Sequence, residues 1–256
     1  MSDRSRSVLV TGASSGIGRA AALAFAREGF EVAVGARRAD RLAELVPELA
    51  AAGAPRTFHA ALDVTDRGSV QAFVGAMRAA LGVPDVLVNN AGLARGVETI
   101  ADAEGTAWRE MVETNVFGVL HVTQALLPAM LERGSGHVVM VGSVAGRLPY
   151  AKGSIYCATK RGLEAICRAL RLETLGKGIR VTSVDPGLVE TEFSLVRFSG
   201  DRDRADRVYD DIRPLAGEDV AECILFAATR PPHVNIDDIL VMPTCQADPW
   251  HIHRGD

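Results

Sequence analysis

No run of apolar residues in this chain approaches the length of a membrane span: the longest uninterrupted one, Ala20 to Ala26, has seven residues, against roughly 18 for a crossing helix. Nor is there an excess of positive charge. Lys and Arg total 28 against 32 Asp and Glu, giving a formal net charge of −4, so the chain lacks the broad positive field that holds nucleic acid or anionic lipid. Cysteine is scarce. Cys157, Cys167, Cys223 and Cys245 stand apart with no C-x-x-C pair, which argues against a cysteine metal site and suits reduced thiols in a cytoplasmic protein. The histidines are equally dispersed except for His251 and His253 in the tail, so no metal is expected. The polar stretch Met1 to Ser7 and the short Val8-Leu9-Val10 after it do not form a secretory signal. Repeats of 20 to 50 residues and linker-like stretches are also missing, and a single domain spanning 1–256 is expected.

What is present is alternation. Ser7 to Thr11 is a short apolar run, and Ile17 to Glu28 carries apolar residues at helical spacing until Gly29. The same change of period repeats: strand patterns at Glu31 to Ala36, Thr57 to Leu62, Asp85 to Val88, His137 to Val141, Ile179 to Val184 and Ile239 to Met242, helical patterns at Asp40 to Ala52, Asp66 to Leu81, around Trp108 to Glu132, and Ile155 to Leu175. Strands separated by helices require right-handed crossovers, so the fold class is α/β, a parallel sheet covered by helices on both faces.

Between the first strand and first helix lies Thr11-Gly12-Ala13-Ser14-Ser15-Gly16-Ile17-Gly18. A turn in that place offers backbone N–H groups and the positive end of a helix to a pyrophosphate, and glycine lets the chain approach it closely. The spacing is G-x-x-x-G-x-G, distinct from the general dinucleotide fingerprint. At the end of the second strand, where a carboxylate would accept hydrogen bonds from a free ribose hydroxyl, the chain has Gly35-Ala36-Arg37-Arg38. Two arginines without a carboxylate suit a 2′-phosphate, so NADP(H) is the expected cofactor, with Arg37 carrying the larger share.

The glycine-rich segment, Asn89-Asn90-Ala91-Gly92 after the fourth strand, Ser143 after the fifth, and Tyr156-Cys157-Ala158-Thr159-Lys160 together resemble the short-chain dehydrogenase/reductase family over nearly the whole chain. The resemblance implies a Rossmann-like, doubly wound, seven-stranded sheet, a nicotinamide cofactor and a homotetramer or homodimer. Tyr156 and Lys160 are one helical turn apart and share a face, and a neighbouring ammonium favours a phenolate. In the implied mechanism Tyr156 exchanges a proton with the substrate oxygen, Lys160 lowers its pKa and holds the nicotinamide ribose, and Ser143 stabilises the oxygen. Asn115 would hold a water linking Lys160 to solvent. Asp63 and Val64 correspond to the adenine pocket, Asn90, Ala91 and Gly92 to the wall beside it, and Pro186, Gly187, Val189 and Thr191 to the turn over the nicotinamide.

Residues 188–212 lose regular period and are read as a substrate lid. Their wording, with Pro232-His233-Val234-Asn235-Ile236 and Met242-Pro243-Thr244, looks like the branch containing NADP-dependent 3-hydroxy acid and serine dehydrogenases. The expected reaction is hydride transfer between nicotinamide and a small hydroxy acid or related carbonyl. The alternatives are a 3-oxoacyl-thioester or small-ketone reductase, or a non-catalytic NADP-sensing protein on the same fold. For a carboxylate substrate the candidate clamps are Arg197, in the aperiodic segment, and Arg147, on the loop between Ser143 and Tyr150; the alternative is a surface arginine paired with Glu192 or Asp201.

Overall fold

The computed structural model describes residues 5–103 and 105–255. Seven strands, β1 (Ser7–Thr11), β2 (Glu31–Ala36), β3 (Thr57–Ala61), β4 (Val86–Asn89), β5 (Gly136–Val141), β6 (Ile179–Pro186) and β7 (Asp238–Val241), form one sheet in the order β3-β2-β1-β4-β5-β6-β7. Every pairing is parallel. The expected elements are all present, with ends displaced by a residue or two, as helix and strand termini commonly are.

Successive side chains on a strand point to opposite sides, and helices cover both faces of the central strands, while β3 and β7 at the edges stay partly exposed. Val8 and Val10 face helices α1 (Gly16–Arg27), α2 (Ala39–Ala52) and α10 (Gly217–Ala228), whose Phe25, Leu45 and Ile224 close that layer. Leu9, Leu87 and Met140 face α3 (Arg67–Leu81), α5 (Gly118–Arg133) and α7 (Ser154–Glu173), which contribute Phe73, Leu126 and Leu163. Arg180 of β6 donates to the carbonyls of Ala227 and Ala228, tying off the C-terminus of α10.

One expected helix is broken. The stretch around Trp108 to Glu132 consists of α4 (Gly105–Val112), a π-helical turn (Glu113–Phe117) and α5. By length and hydropathy Gly105–Arg133 is the one stretch among the described residues that matches a membrane span. Its Val119, Val122, Leu126 and Met130 are instead buried against the sheet. Two short helices, α8 (Phe193–Arg197) and α9 (Arg202–Asp206), occupy the aperiodic segment, and α6 (Val144–Arg147) follows β5.

His137 is buried in β5 with Nε2 2.8 Å from Thr182 Oγ1. The Thr182 hydroxyl donates to Ile236 O at 2.6 Å, so it must accept from Nε2–H, which leaves His137 Nδ1 as an unprotonated atom without a partner. Protonation would bury an unpaired N–H and a charge, and burial, with Arg180 nearby, pushes the imidazole pKa down to about 3. The unfolded chain binds a proton at this histidine below about pH 6.5 while the folded chain refuses it until about pH 3. Stability is therefore lost as pH falls through that window, by roughly 1.4 kcal/mol per pH unit. Denaturant titrations between pH 6.5 and 4 should show His137→Asn with a shallower pH dependence than the wild type; equal slopes would place the acid sensitivity elsewhere.

Candidate active site

The order of the sheet reverses between β1 and β4, and the crevice beyond their carboxyl ends is where an open α/β sheet receives a ligand. Here the two strand ends are fastened together. Thr11 Oγ1 donates to Val88 O and accepts from the backbone N–H groups of Asn90 and Ala91. Asn90 Nδ2 donates to Thr11 O at 2.9 Å and Gly12 O at 3.2 Å. Gly12 and Gly16 have φ of +67° and +54°, the left-handed region open to glycine. A Cβ on Gly18 would lie 2.4 Å from Asn90 Nδ2, and one on Gly12 2.8 Å from Ala91 Cα. The turn is thus a cradle of exposed backbone, with the N-terminus of α1 at its base, and it has the donor set a pyrophosphate needs.

A cavity of about 560 Å³ runs from this turn across the sheet edge. Of the residues singled out in the sequence, Gly12, Ser14, Ser15, Gly16, Ile17, Arg37, Arg38, Asp63, Val64, Asn90, Ala91, Gly92, Ser143, Tyr150, Tyr156, Lys160, Pro186, Gly187, Val189, Thr191 and Arg197 all line it. Gly18, Asn115 and Arg147 do not. Gly18 acts from beneath, through the clearance it leaves for Asn90.

At the β2 end of the cavity, Arg38 is the fixed arginine. Its Nη2 donates to Ser14 Oγ at 3.0 Å and Ser15 Oγ at 2.8 Å, and its Nη1 to Glu192 at 2.8 Å. Arg37 is exposed and makes its presence felt through charge. Against burial, which raises it, the Thr65 hydrogen bonds and Arg37 hold Asp63 below the usual carboxylate range. Asp63 Oδ1 accepts from both Thr65 N and Thr65 Oγ1, a local turn bond that shapes the pocket wall.

At the opposite end, α7 delivers Tyr156 and Lys160, and the loop after β5 delivers Ser143, whose Oγ caps α6 by accepting from Ala145 N. Lys160 Nζ donates to Val141 O at 2.8 Å and stands 5.9 Å from the Tyr156 ring centre. Burial pushes its pKa down to about 8, with Asp185 pulling the other way, so it remains mostly charged at neutral pH. Burial also raises the Tyr156 pKa, helped by Tyr150 and opposed by the Ser143 hydroxyl and the Arg197 charge. Arg197 is thus a second cation beside Tyr156, one that favours its phenolate. Its guanidinium lies 5.5 Å from the Tyr150 ring centre and 5.8 Å from that of Tyr156, with Nε on Gly96 O. Phe193 of α8 closes the other side, 5.6 Å from the Tyr156 ring centre.

One expectation is corrected. Arg147 does not reach the cavity, because its guanidinium is taken by Asp185 and Asp238 at the edge of β6 and β7. The Asn115 side chain bonds to protein groups on two neighbouring segments. It sits in the π-helical turn, accepts from Leu93 N at 2.9 Å, and donates to Leu93 O at 2.8 Å and Thr159 Oγ1 at 3.1 Å. Gly92 lies between it and the lysine: a Cβ there would be 3.2 Å from Asn115 Oδ1 and 3.6 Å from Lys160 Nζ. Glu192, read from the sequence only as a surface partner for Arg197 or Arg147, is instead held by Arg38 and Arg41. Arg41, one turn into α2 on the face shared with Arg38, is the signal that was there to be read.

Residues 6–200 match the model of the short chain dehydrogenase family. The chain belongs to that family. A sulfoacetaldehyde reductase of Chromohalobacter salexigens is 44% identical to it over 241 residues, 94% of this chain and 95% of the relative. An NADP-dependent 3-hydroxy acid dehydrogenase of Schizosaccharomyces pombe is 42% identical over 250 residues, 97% of this chain and 96% of the relative. Among solved structures, the closed form of a serine dehydrogenase complexed with NADP+ superposes with a TM-score of 0.91 at 40% identity, covering 96% of this chain and 99% of that one. Family membership places the chain among oxidoreductases, consistent with the glycine cradle and with a tyrosine and lysine on one helical face.

Asn115→Ala leaves the buried N–H and C=O of Leu93 unsatisfied and should cost roughly 2–4 kcal/mol of unfolding free energy. Equilibrium denaturation checks this, and a loss within experimental error would show that solvent takes over the amide's role.

Proposed function

We propose that the protein is an NADP-dependent oxidoreductase that interconverts a small hydroxy acid, or a related acid-bearing alcohol, with its carbonyl form, using Tyr156 as proton donor and acceptor. The observation that carries this reading is one continuous cavity with Arg38 and the glycine turn at one end and the buried Tyr156, with Ser143 and Arg197 beside it, at the other. The residues fit a dinucleotide bearing a 2′-phosphate: Gly12, Ser14 and Ile17 line the pyrophosphate cradle, Arg38 and Arg37 stand at the 2′-phosphate position, and Asp63 and Val64 at the adenine. The named relatives support the same cofactor. When bound, the nicotinamide supplies the hydride chemistry.

The chain's own groups handle the oxygen and its proton. Ser143 and Tyr156 converge on the place where a substrate oxygen would sit, so developing negative charge there meets two hydroxyl donors. Burial keeps Tyr156 protonated in the free enzyme, the state needed to donate as a carbonyl becomes an alcohol. In the reverse direction the accumulated charge of Lys160 and Arg197 favours transfer of the alcohol proton to Tyr156 oxygen. Residues 188–212, with α8 and α9, act as the lid: Tyr209 bonds both Ser194 Oγ and Val189 O, and Arg95 donates to Val196 O while paired with Glu110.

Arg197 is the substrate's acid clamp in this reading. Among the described residues it is in no ion pair, and it faces the reactive tyrosine. The names of the relatives, a sulfoacetaldehyde reductase and a 3-hydroxy acid dehydrogenase, are those of enzymes for small acids. Exposed Phe117, Leu120 and Leu172 on α5, its preceding turn and α7 support assembly as a homotetramer or homodimer, and the free cysteines suit a cytoplasmic setting.

Tyr156→Phe should lower kcat by roughly 10²–10⁴-fold, the range for a lost general acid–base group, with NADPH affinity nearly unchanged; retention of most of kcat would remove Tyr156 from the proton transfer. Arg197→Ala should lower kcat/KM for a 3-hydroxy acid by roughly 10- to 100-fold, the value of a charge-assisted contact, and hardly affect its methyl ester. Equal use of acid and ester by the wild type would point to a neutral substrate.

A further inference from the structure

Arg38, which lines the cavity, and Arg41, which lies just outside it on α2, are both paired with a carboxylate. Glu192 accepts from Arg38 Nη1 at 2.8 Å through Oε2, and from Arg41 Nη1 at 2.6 and 2.9 Å through both oxygens. The remaining edge of the Arg38 fork rests on the hydroxyls of Ser14 and Ser15, within the glycine-rich turn. One carboxylate thus serves two guanidinium groups. A monoanion leaves this cluster with a surplus positive charge, whereas a phosphate monoester, at nearly two negative charges, would neutralise it. All three side chains are about two-fifths exposed, at 41%, 40% and 39%. Ion pairs this open to water hold weakly and exchange partners readily.

We infer that Glu192 is a built-in counter-ion of the 2′-phosphate subsite, competing with the cofactor's phosphate for Arg38 and Arg41, and that Arg41 is a third arginine of that subsite. This rests on the NADP reading given above. The carboxylate fills the role that a phosphate would take over, so a ligand with a 2′-phosphate must displace it and one without leaves it in place. Glu192 thereby lowers affinity for the phosphorylated cofactor while offsetting part of the arginines' charge. The alternative role for the same contacts is structural, with Glu192 holding the two arginines in the pose that binds phosphate.

Adenosine 5′-monophosphate and adenosine 2′,5′-bisphosphate differ only in the 2′-phosphate, so calorimetric Kd values for the two ligands read the subsite without turnover. The wild type should prefer the bisphosphate, and Arg38→Ala should erase most of that preference. Glu192→Gln, which keeps shape and removes charge, should bind the bisphosphate about two- to five-fold more tightly, a gain on the scale of one exposed charge pair, with the monophosphate unchanged. Arg41→Ala should weaken the bisphosphate selectively. If Glu192→Gln and Glu192→Ala bind the bisphosphate no better, or less well, while the wild type keeps its preference, the competing role of Glu192 is overturned and the NADP reading stands. If the wild type itself shows no preference, that reading falls and takes this inference with it. A tightening of both ligands by the same factor also overturns it, since the effect would lie outside the 2′-phosphate.

Discussion

The fastening of β1 to β4 is the contact on which the site depends. At the point where the sheet order reverses, neighbouring strands lead their following segments to opposite faces, and a crevice opens by geometry alone. Whether that crevice can take a phosphate is decided by Thr11 and Asn90, whose side chains satisfy the backbone groups that the diverging strands leave unpaired. Their bonds draw the two strand ends so close that any side chain at Gly12 or Gly18 would collide. The glycines are therefore required twice, by the left-handed turn and by the clearance under it. Thr191 packs on Gly16, where a Cβ would meet it at 3.1 Å, so the segment after β6 is seated by the same turn.

The chemistry at the far end of the cavity is a balance between burial and charge. Tyr156 and Lys160 are both removed from water, and burial moves their pKa values in opposite directions, each toward its neutral form. Arg197 and Asp185 work against this, one favouring the phenolate and the other the ammonium. Asp185 can afford to be buried because Arg147 and Ser183 satisfy it. Arg147 thus belongs to the support of the site, although it never reaches its surface.

Much of this was legible in the residues. The change between helical and strand periods recurs along the whole chain and the central strands are largely apolar and buried, so the parallel sheet and nearly all its elements could be read directly. The glycine turn, the arginines after β2 and the Tyr156–Lys160 spacing were local patterns with a physical meaning. What escaped reading depended on distant pairings. Arg147 is 38 and 91 residues from its two carboxylates, and Arg38 is 154 from Glu192; no local pattern links such partners. The π-helical turn escaped because widening one turn preserves the apolar period on either side. Only Asn115, a poor residue for a helix interior, hinted that the backbone there answers to something else, and that proved to be Leu93 and Thr159.

Lys160 is anchored to the carbonyl of Val141, and Ser143 follows two residues later on the same backbone. The ammonium and the hydroxyl are therefore referred to a single rigid origin, the end of β5, while the glycine turn is referred to β1, two strands away in the sheet. Sliding or twisting between strands carries the lysine and serine together and leaves their separation unchanged. It alters their distance from the phosphate cradle instead. The fold thus shields the spacing of lysine and serine from motions of the sheet and concentrates their effect along the long axis of the cavity, where an extended, jointed dinucleotide can absorb it.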